Sequence, residues 1–192
     1  MKRNNHKQAW YVINGITFYR IIAAPFLLVL LFAKQYEVFK WLLGLSFFTD
    51  LIDGYLARKF QVTSILGTKL DSIGDDLTVL VGLIALFVLK LDFIKQHIII
   101  LIILLVLFLV QTTFAFIKYR KMTNFHTLLA KTAALLQGVF LIFAFFTEQP
   151  SLILFYAATI VTMLELIEEI ILVGMLPQWQ ANVKGIYWTL KK

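Results

Sequence analysis

Six apolar runs, at about residues 12–33, 37–57, 71–90, 97–117, 127–147 and 151–175, constrain this chain more than any other feature. Each is close to the ~20 residues that carry a helix across the hydrocarbon core of a bilayer. Hydrocarbon offers no partner to a backbone N–H or C=O, so all six are expected to be α-helical. With 60% of its 192 residues hydrophobic, the chain reads as an all-α integral membrane protein, not a soluble domain with a large core. The expected fold is six transmembrane helices in one bundle, a single domain over residues 1–192, because no Pro/Gly/Ser-rich linker divides it. Strand alternation and internal repeats are not evident.

Charge placement sets the expected orientation. Lys2, Arg3, Lys7, Arg58, Lys59, Lys69, Lys118, Arg120, Lys121, Lys184, Lys191 and Lys192 fall at one set of segment ends, against Lys34, Lys40, Lys90 and Lys95 at the other. The basic-rich ends are expected on the inside, so both termini are cytoplasmic after an even number of crossings. Trp10, Tyr11 and Trp179 sit where interfacial aromatics are expected. The net charge of +7 is spread over segment ends instead of lining one groove, which argues against nucleic acid and for anionic lipid or phosphate. No cysteine is present, which excludes disulfides, thiolate ligands and thiol nucleophiles. The first apolar run carries Arg20 and has no small-x-small exit site, so it reads as a retained helix and not a cleaved signal peptide.

Four carboxylates interrupt the apolar pattern, as Asp50-x2-Asp53-Gly54-x2-Ala57-Arg58-x8-Gly67-x3-Asp71-x3-Asp75. A charge at bilayer depth costs roughly 2.5–3.5 kcal/mol on insertion scales, so such groups call for a function. Asp50 and Asp53 share a face of the second helix, and Asp71 and Asp75 lie one turn apart on the third. Antiparallel packing of those helices across a connection at 58–70 would bring the four together, where mutual repulsion demands cations. Hard oxygen donors in that number suit two Mg²⁺ or Mn²⁺ ions, the usual clamp for displacement at phosphorus. Gly54, Ala57 and Gly67 leave room for a base or a diphosphate beside the backbone, and Arg58 offers a planar fork for phosphate oxygens.

These eight residues match, without substitution, the signature of the CDP-alcohol phosphotransferase family of membrane enzymes. Asn14-x2-Thr17-x2-Arg20 followed by Pro25-Phe26 resembles the first-helix pattern of its phosphatidylglycerophosphate and cardiolipin synthase branches. The resemblance implies an enzyme in which an alcohol hydroxyl attacks the β-phosphorus of a CDP-linked lipid, usually CDP-diacylglycerol, and CMP leaves. It implies Asp50, Asp53 and Asp71 as metal ligands, with Asp75 as catalytic base and fourth ligand. Gly54, Ala57, Arg58 and Gly67, with Asn14 and Thr17, would hold the nucleotide. A homodimer in the cell (inner) membrane, with its active site facing the cytoplasm, is also implied.

The acceptor is less constrained. Glycerol 3-phosphate is the first expectation, with Arg20, Lys121 and Lys131 as its candidate contacts. The second acidic pair reads Asp71-Ser72-Ile73-Gly74-Asp75-Asp76, and its Ser72 resembles the branch that uses inositol phosphate, which stands as the alternative. A non-catalytic divalent-cation transporter would also explain the aspartates, but not Gly54, Ala57, Arg58 and Gly67 at these spacings. Asp76 reads as solvated. Glu165, Glu168 and Glu169 share a face of the last helix, and an ion pair with Lys131 or Arg20 is expected to neutralise them; acceptor recognition is the lesser account. His6, His97 and His126 are too scattered to form a site.

Overall fold

The computed structural model describes the backbone of residues 2–60, 65–123, 125, 127–181 and 183–191. Within these it describes the side chains outside 2–14, 16–17, 50–51, 53–60, 65–69 and 71–72. Seven α-helices and no strand occur among the described residues: α1 (Lys2–Phe32), α2 (Tyr36–Phe60), α3 (Ile65–Leu89), α4 (Leu91–Tyr119), α5 (Leu128–Phe146), α6 (Leu152–Met175) and α7 (Ile186–Leu190). Two of them, α4 and α5, are long and apolar enough to cross a membrane, and little of α4 is buried within the protein.

The chain forms two compact units, Met1–Leu91 and Asp92–Lys192. In the first, α1 packs against both α2 and α3, which touch each other only lightly. The buried face of α1 is Arg20, Ala23, Ala24, Leu27 and Leu31, a repeat of three and four residues that draws one stripe along a helix. Phe39, Leu43 and Ser46 of α2 are buried too, as are Thr78, Val81, Ala85 and Leu86 of α3. Phe18, Ile22, Phe26, Val29 and Phe32 form a second, exposed stripe on α1, the surface that a lipid-facing helix presents. α1 continues through Pro25 and ends where Lys34 adopts φ 60°. Gln35 N–H then donates to Leu30 O at 2.9 Å and Lys34 N–H to Leu31 O at 3.1 Å. This double closure satisfies the last carbonyls and turns the chain sharply into α2.

In the second unit α5 and α6 form a hairpin. Thr127 accepts from Ala130 N–H to cap α5, and Ser151 accepts from Leu154 N–H to cap α6. Gln137 of α5 donates to Thr162 Oγ1 of α6 at 2.7 Å, halfway along the pair. α4 runs parallel to α6. At one end Phe93 and His97 of α4 meet Phe155 of α6 edge to face; at the other Lys118 Nζ donates to Val173 O at 2.7 Å and Gly174 O at 3.0 Å. A lysine on the last carbonyls of α6 meets both their unfilled acceptor capacity and the negative end of the helix dipole.

Two sequence readings need correction. The 58–70 connection is mostly helix: α2 runs to Phe60 and α3 starts at Ile65. The gap between the third and fourth apolar runs, at 91–96, is also helical, since α3 ends at Leu89 and α4 begins at Leu91. Apolar composition marks only what lies in hydrocarbon, whereas the i→i−4 ladder continues through polar residues at the interface at no penalty. The short α7 went unforeseen, because five residues make no hydropathy signal.

The cysteine-free chain allows a direct check of the helix alternation in the second unit. In sealed proteoliposomes of one orientation, Lys121→Cys and Lys184→Cys are expected to react with an impermeant maleimide from one face. Glu148→Cys is expected to react only from the other face; labelling of Lys121→Cys and Lys184→Cys from opposite faces would contradict the parallel α4 and α6.

Candidate active site

Every position of the eight-residue pattern falls on helix. Asp50, Asp53, Gly54, Ala57 and Arg58 lie on α2, and Gly67, Asp71 and Asp75 lie on α3, all in the first unit. The side chains of Asp50, Asp53, Ala57, Arg58 and Asp71, and the surroundings of Gly54 and Gly67, lie outside the described residues, as do the side chains of Asn14 and Thr17. Asp75 is the one motif side chain described, and its environment is specific.

Arg20, from the middle of α1, is buried with 1% of its surface exposed. Its Nη1 donates to Asp75 Oδ1 across the α1–α3 interface, a charge-assisted hydrogen bond that is also an ion pair. The guanidinium side chain is fully enclosed, while 42% of the Asp75 side chain stays exposed. The pair therefore has a closed end and an open end, with the carboxylate at the open one. Gly74 makes room for this arrangement. A Cβ built there would lie 3.6 Å from both Cβ and Cζ of Arg20, so a methyl group would just reach the arginine and a longer side chain would run into it. One turn on, Thr78 Oγ1 donates to Gly74 O at 2.8 Å, disposing of a hydroxyl that would otherwise be unpaired in the core. Asp76, next along the helix, is exposed.

A second polar cluster occupies the other unit. Gln111 of α4, itself buried, donates through Nε2 to Glu169 Oε2 of α6 and to Thr123 Oγ1, both at 2.6 Å. Thr123 Oγ1 donates to the same Glu169 oxygen at 2.8 Å. Glu168 Oε1 accepts from Ile186 N–H at 3.3 Å, while its Oε2 is buried without a hydrogen-bond partner. The ion pair expected for the three glutamates is thus corrected: Arg20 pairs with Asp75, and neutral amide, hydroxyl and backbone donors serve Glu168 and Glu169. Sequence reading missed Gln111 and Thr123, although the polar run Gln111-Thr112-Thr113 inside an apolar span was the available signal. Lys121 is exposed, its ammonium 5.2 Å above the Trp179 ring; Lys131 is exposed on the first turn of α5. His97 sits among aromatic rings with Nδ1 2.9 Å from Phe93 O. Among the described residues no three His, Asp or Glu side chains gather as a metal site.

The sequence model of the CDP-alcohol phosphatidyltransferase family matches residues 10–167, from the start of the α1 span to the middle of the α6 glutamate cluster. The chain belongs to that family. It is 40% identical over 62 residues to a cardiolipin synthase (CMP-forming)/mitochondrial hydrolase fusion protein of Schizosaccharomyces pombe, covering 32% of this chain and 10% of that one. It is 34% identical over 74 residues to a CDP-diacylglycerol–glycerol-3-phosphate 3-phosphatidyltransferase of Wigglesworthia glossinidia brevipalpis, covering 36% and 40%. A CDP-diacylglycerol–inositol 3-phosphatidyltransferase of Saccharomyces cerevisiae is 36% identical over 66 residues, covering 34% and 30%. The matched stretches span less than half the length of each of these curated relatives. No solved structure matches.

The Arg20–Asp75 contact can be measured in this family member without substrate. A double-mutant cycle on Arg20→Ala and Asp75→Ala, read by thermal or denaturant stability in detergent, is expected to give a coupling of about 1–3 kcal/mol. Gly74→Ala is expected to be tolerated, since its Cβ meets Arg20 at ordinary contact distance, and Gly74→Leu to destabilise by displacing the guanidinium.

Proposed function

We propose that the chain is a phosphatidyltransferase that moves a phosphatidyl group from CDP-diacylglycerol to a small polar alcohol, releasing CMP. Glycerol 3-phosphate is the acceptor we favour. The observation that carries the reading is the uninterrupted eight-residue pattern on α2 and α3, inside the span of the family match. Six membrane crossings as one catalytic domain, cytoplasmic termini and active site, a location in the cell (inner) membrane and a homodimer complete the proposal. They rest on the lysine and arginine distribution and on the family.

Asp50, Asp53, Asp71 and Asp75 are the proposed metal ligands. Four carboxylates at helical spacing, with the exposed Asp75 side chain among them, are a donor set suited to hard divalent cations such as Mg²⁺ or Mn²⁺. Such ions, when bound, screen the diphosphate and stabilise charge on the departing CMP. Arg58 holds phosphate oxygens through its fork, and Gly54, Ala57 and Gly67 leave space for the cytidine diphosphate, with Asn14 and Thr17 beside it. Arg20 orients Asp75 from its buried side, leaving the exposed side of the carboxylate to face the acceptor hydroxyl. As the new P–O bond forms and the bond to CMP breaks, Asp75 accepts the hydroxyl proton. Lys121 and Lys131, in the second unit, are proposed acceptor contacts on sequence grounds alone, whereas Arg20, fully enclosed, acts through Asp75.

The alternative acceptor, an inositol phosphate, is favoured by Ser72 in the second acidic pair. A panel of acceptors with CDP-diacylglycerol and Mg²⁺ or Mn²⁺, scored by the lipid formed, separates the two. Absence of CMP release with every acceptor would instead favour a non-catalytic cation transporter.

Asp75→Asn is expected to lower turnover by at least ~100-fold with little loss of CDP-lipid binding, because general-base contributions run roughly 10²–10⁴-fold. Undiminished CMP release would remove Asp75 from that role. Arg58→Ala is expected to raise the KM for the CDP-lipid roughly tenfold or more, the order set by losing a charge-assisted contact. Chelation by EDTA is expected to abolish turnover, and added Mg²⁺ or Mn²⁺ to restore it.

A further inference from the structure

The segment after α6 has no role in the chemistry above, yet it is built with care. Lys118 and Tyr119 bind the last carbonyls of α6, with Tyr119 Oη donating to Val173 O at 3.1 Å and Leu176 O at 2.8 Å, so α4 and α6 end side by side. Trp179 Nε1 donates to Met122 O at 3.0 Å, folding the segment back over that end. Val183 and Ile186 then pack on a cluster of Ala115, Phe125, Leu172, Val173 and Leu176. Gly185 fixes the approach. Its φ of 142° suits glycine alone, and a Cβ there would lie 2.9 Å from Glu168 Oε1, the atom that accepts from Ile186 N–H.

What this latch presents outward is apolar and basic. Tyr187, Trp188 and Leu190 of α7 are 65%, 42% and 71% exposed, with Tyr187 and Trp188 edge to face at 5.5 Å. Lys191 Nζ lies 5.9 Å over the Tyr187 ring. No Asp or Glu follows Glu169, whereas Lys184, Lys191 and Lys192 do, and Arg120 and Lys121 come from the adjoining end of α4. Exposed Trp and Tyr among lysines, at the end of apolar helices, is the composition that partitions to a lipid headgroup layer and is attracted by negative lipids. A second copy of this surface would bring lysines against lysines.

We propose that residues 179–191, latched to α6 through Gly185 and Glu168, dock Tyr187, Trp188 and the flanking lysines onto anionic phospholipid headgroups of the bilayer that holds α4 and α6. The proposal rests on the membrane placement of those helices and not on the transferase reading, so either can fail alone.

The test uses the full chain in proteoliposomes, with Trp10 and Trp41 replaced by Phe and the signal of a matched Trp188→Phe variant subtracted, so that Trp188 is read while Trp179 keeps its hydrogen bond. Lipids brominated near the headgroup are expected to quench Trp188 at least twofold more than lipids brominated deep in the chain. Quenching is expected to rise when phosphatidylglycerol is added to phosphatidylcholine and to lose that rise in the Lys184→Gln/Lys191→Gln/Lys192→Gln variant. Gly185→Ala is expected to reduce shallow quenching, while cooperative thermal unfolding in detergent close to that of the parent chain shows that the variant is folded. Water-like emission without quenching at either depth would overturn the proposal. So would quenching indifferent to phosphatidylglycerol, or energy transfer between copies in place of lipid quenching, which would assign the face to a second protomer.

Discussion

A polar side chain enclosed between helices must find its partner within the protein, because no water reaches it there. Arg20 obeys that constraint most visibly. An arginine fully enclosed between two helices is tolerable only against an opposite charge, and Asp75 supplies it across the α1–α3 contact. Around that pair the first unit is arranged: Gly74 leaves the arginine stem no more than a methyl's clearance, and Thr78 returns its hydroxyl to the backbone. The buried stripe Ala23, Ala24, Leu27 and Leu31 extends the same α1 face. The ion pair thus fixes the depth and rotation of α1 against the helix that carries half of the acidic pattern.

Much of this was legible in the residues. The apolar runs located six of the seven helices, since a bilayer-length hydrophobic stretch has one way to satisfy its backbone. Helix ends were read less well: α2 keeps its ladder through Arg58, Lys59 and Phe60, where hydropathy had already stopped. The sequence marks Arg20 and Asp75 as individually costly but not as partners, because 55 residues separate them and no periodicity relates one helix to another. The glutamates were misjudged for a related reason. A carboxylate in an apolar helix suggests a cation, yet an amide and a hydroxyl from residues 58 and 46 positions away serve Glu169 equally well in donor count.

The two units therefore treat a membrane-helix carboxylate in opposite ways, and the contrast bears on chemistry. Glu169 is closed in by Gln111 and Thr123, which ties α4 to α6 and leaves that acid no opening toward a ligand. Asp75 is held from behind by a buried cation and left with an open side. A group meant to exchange a proton or grip a metal needs the second environment, where a partner sets its orientation and part of the side chain stays exposed. By that criterion Glu169 belongs to the scaffold, whereas Asp75, which closes the eight-residue pattern, keeps an exposed carboxylate beside a buried cation.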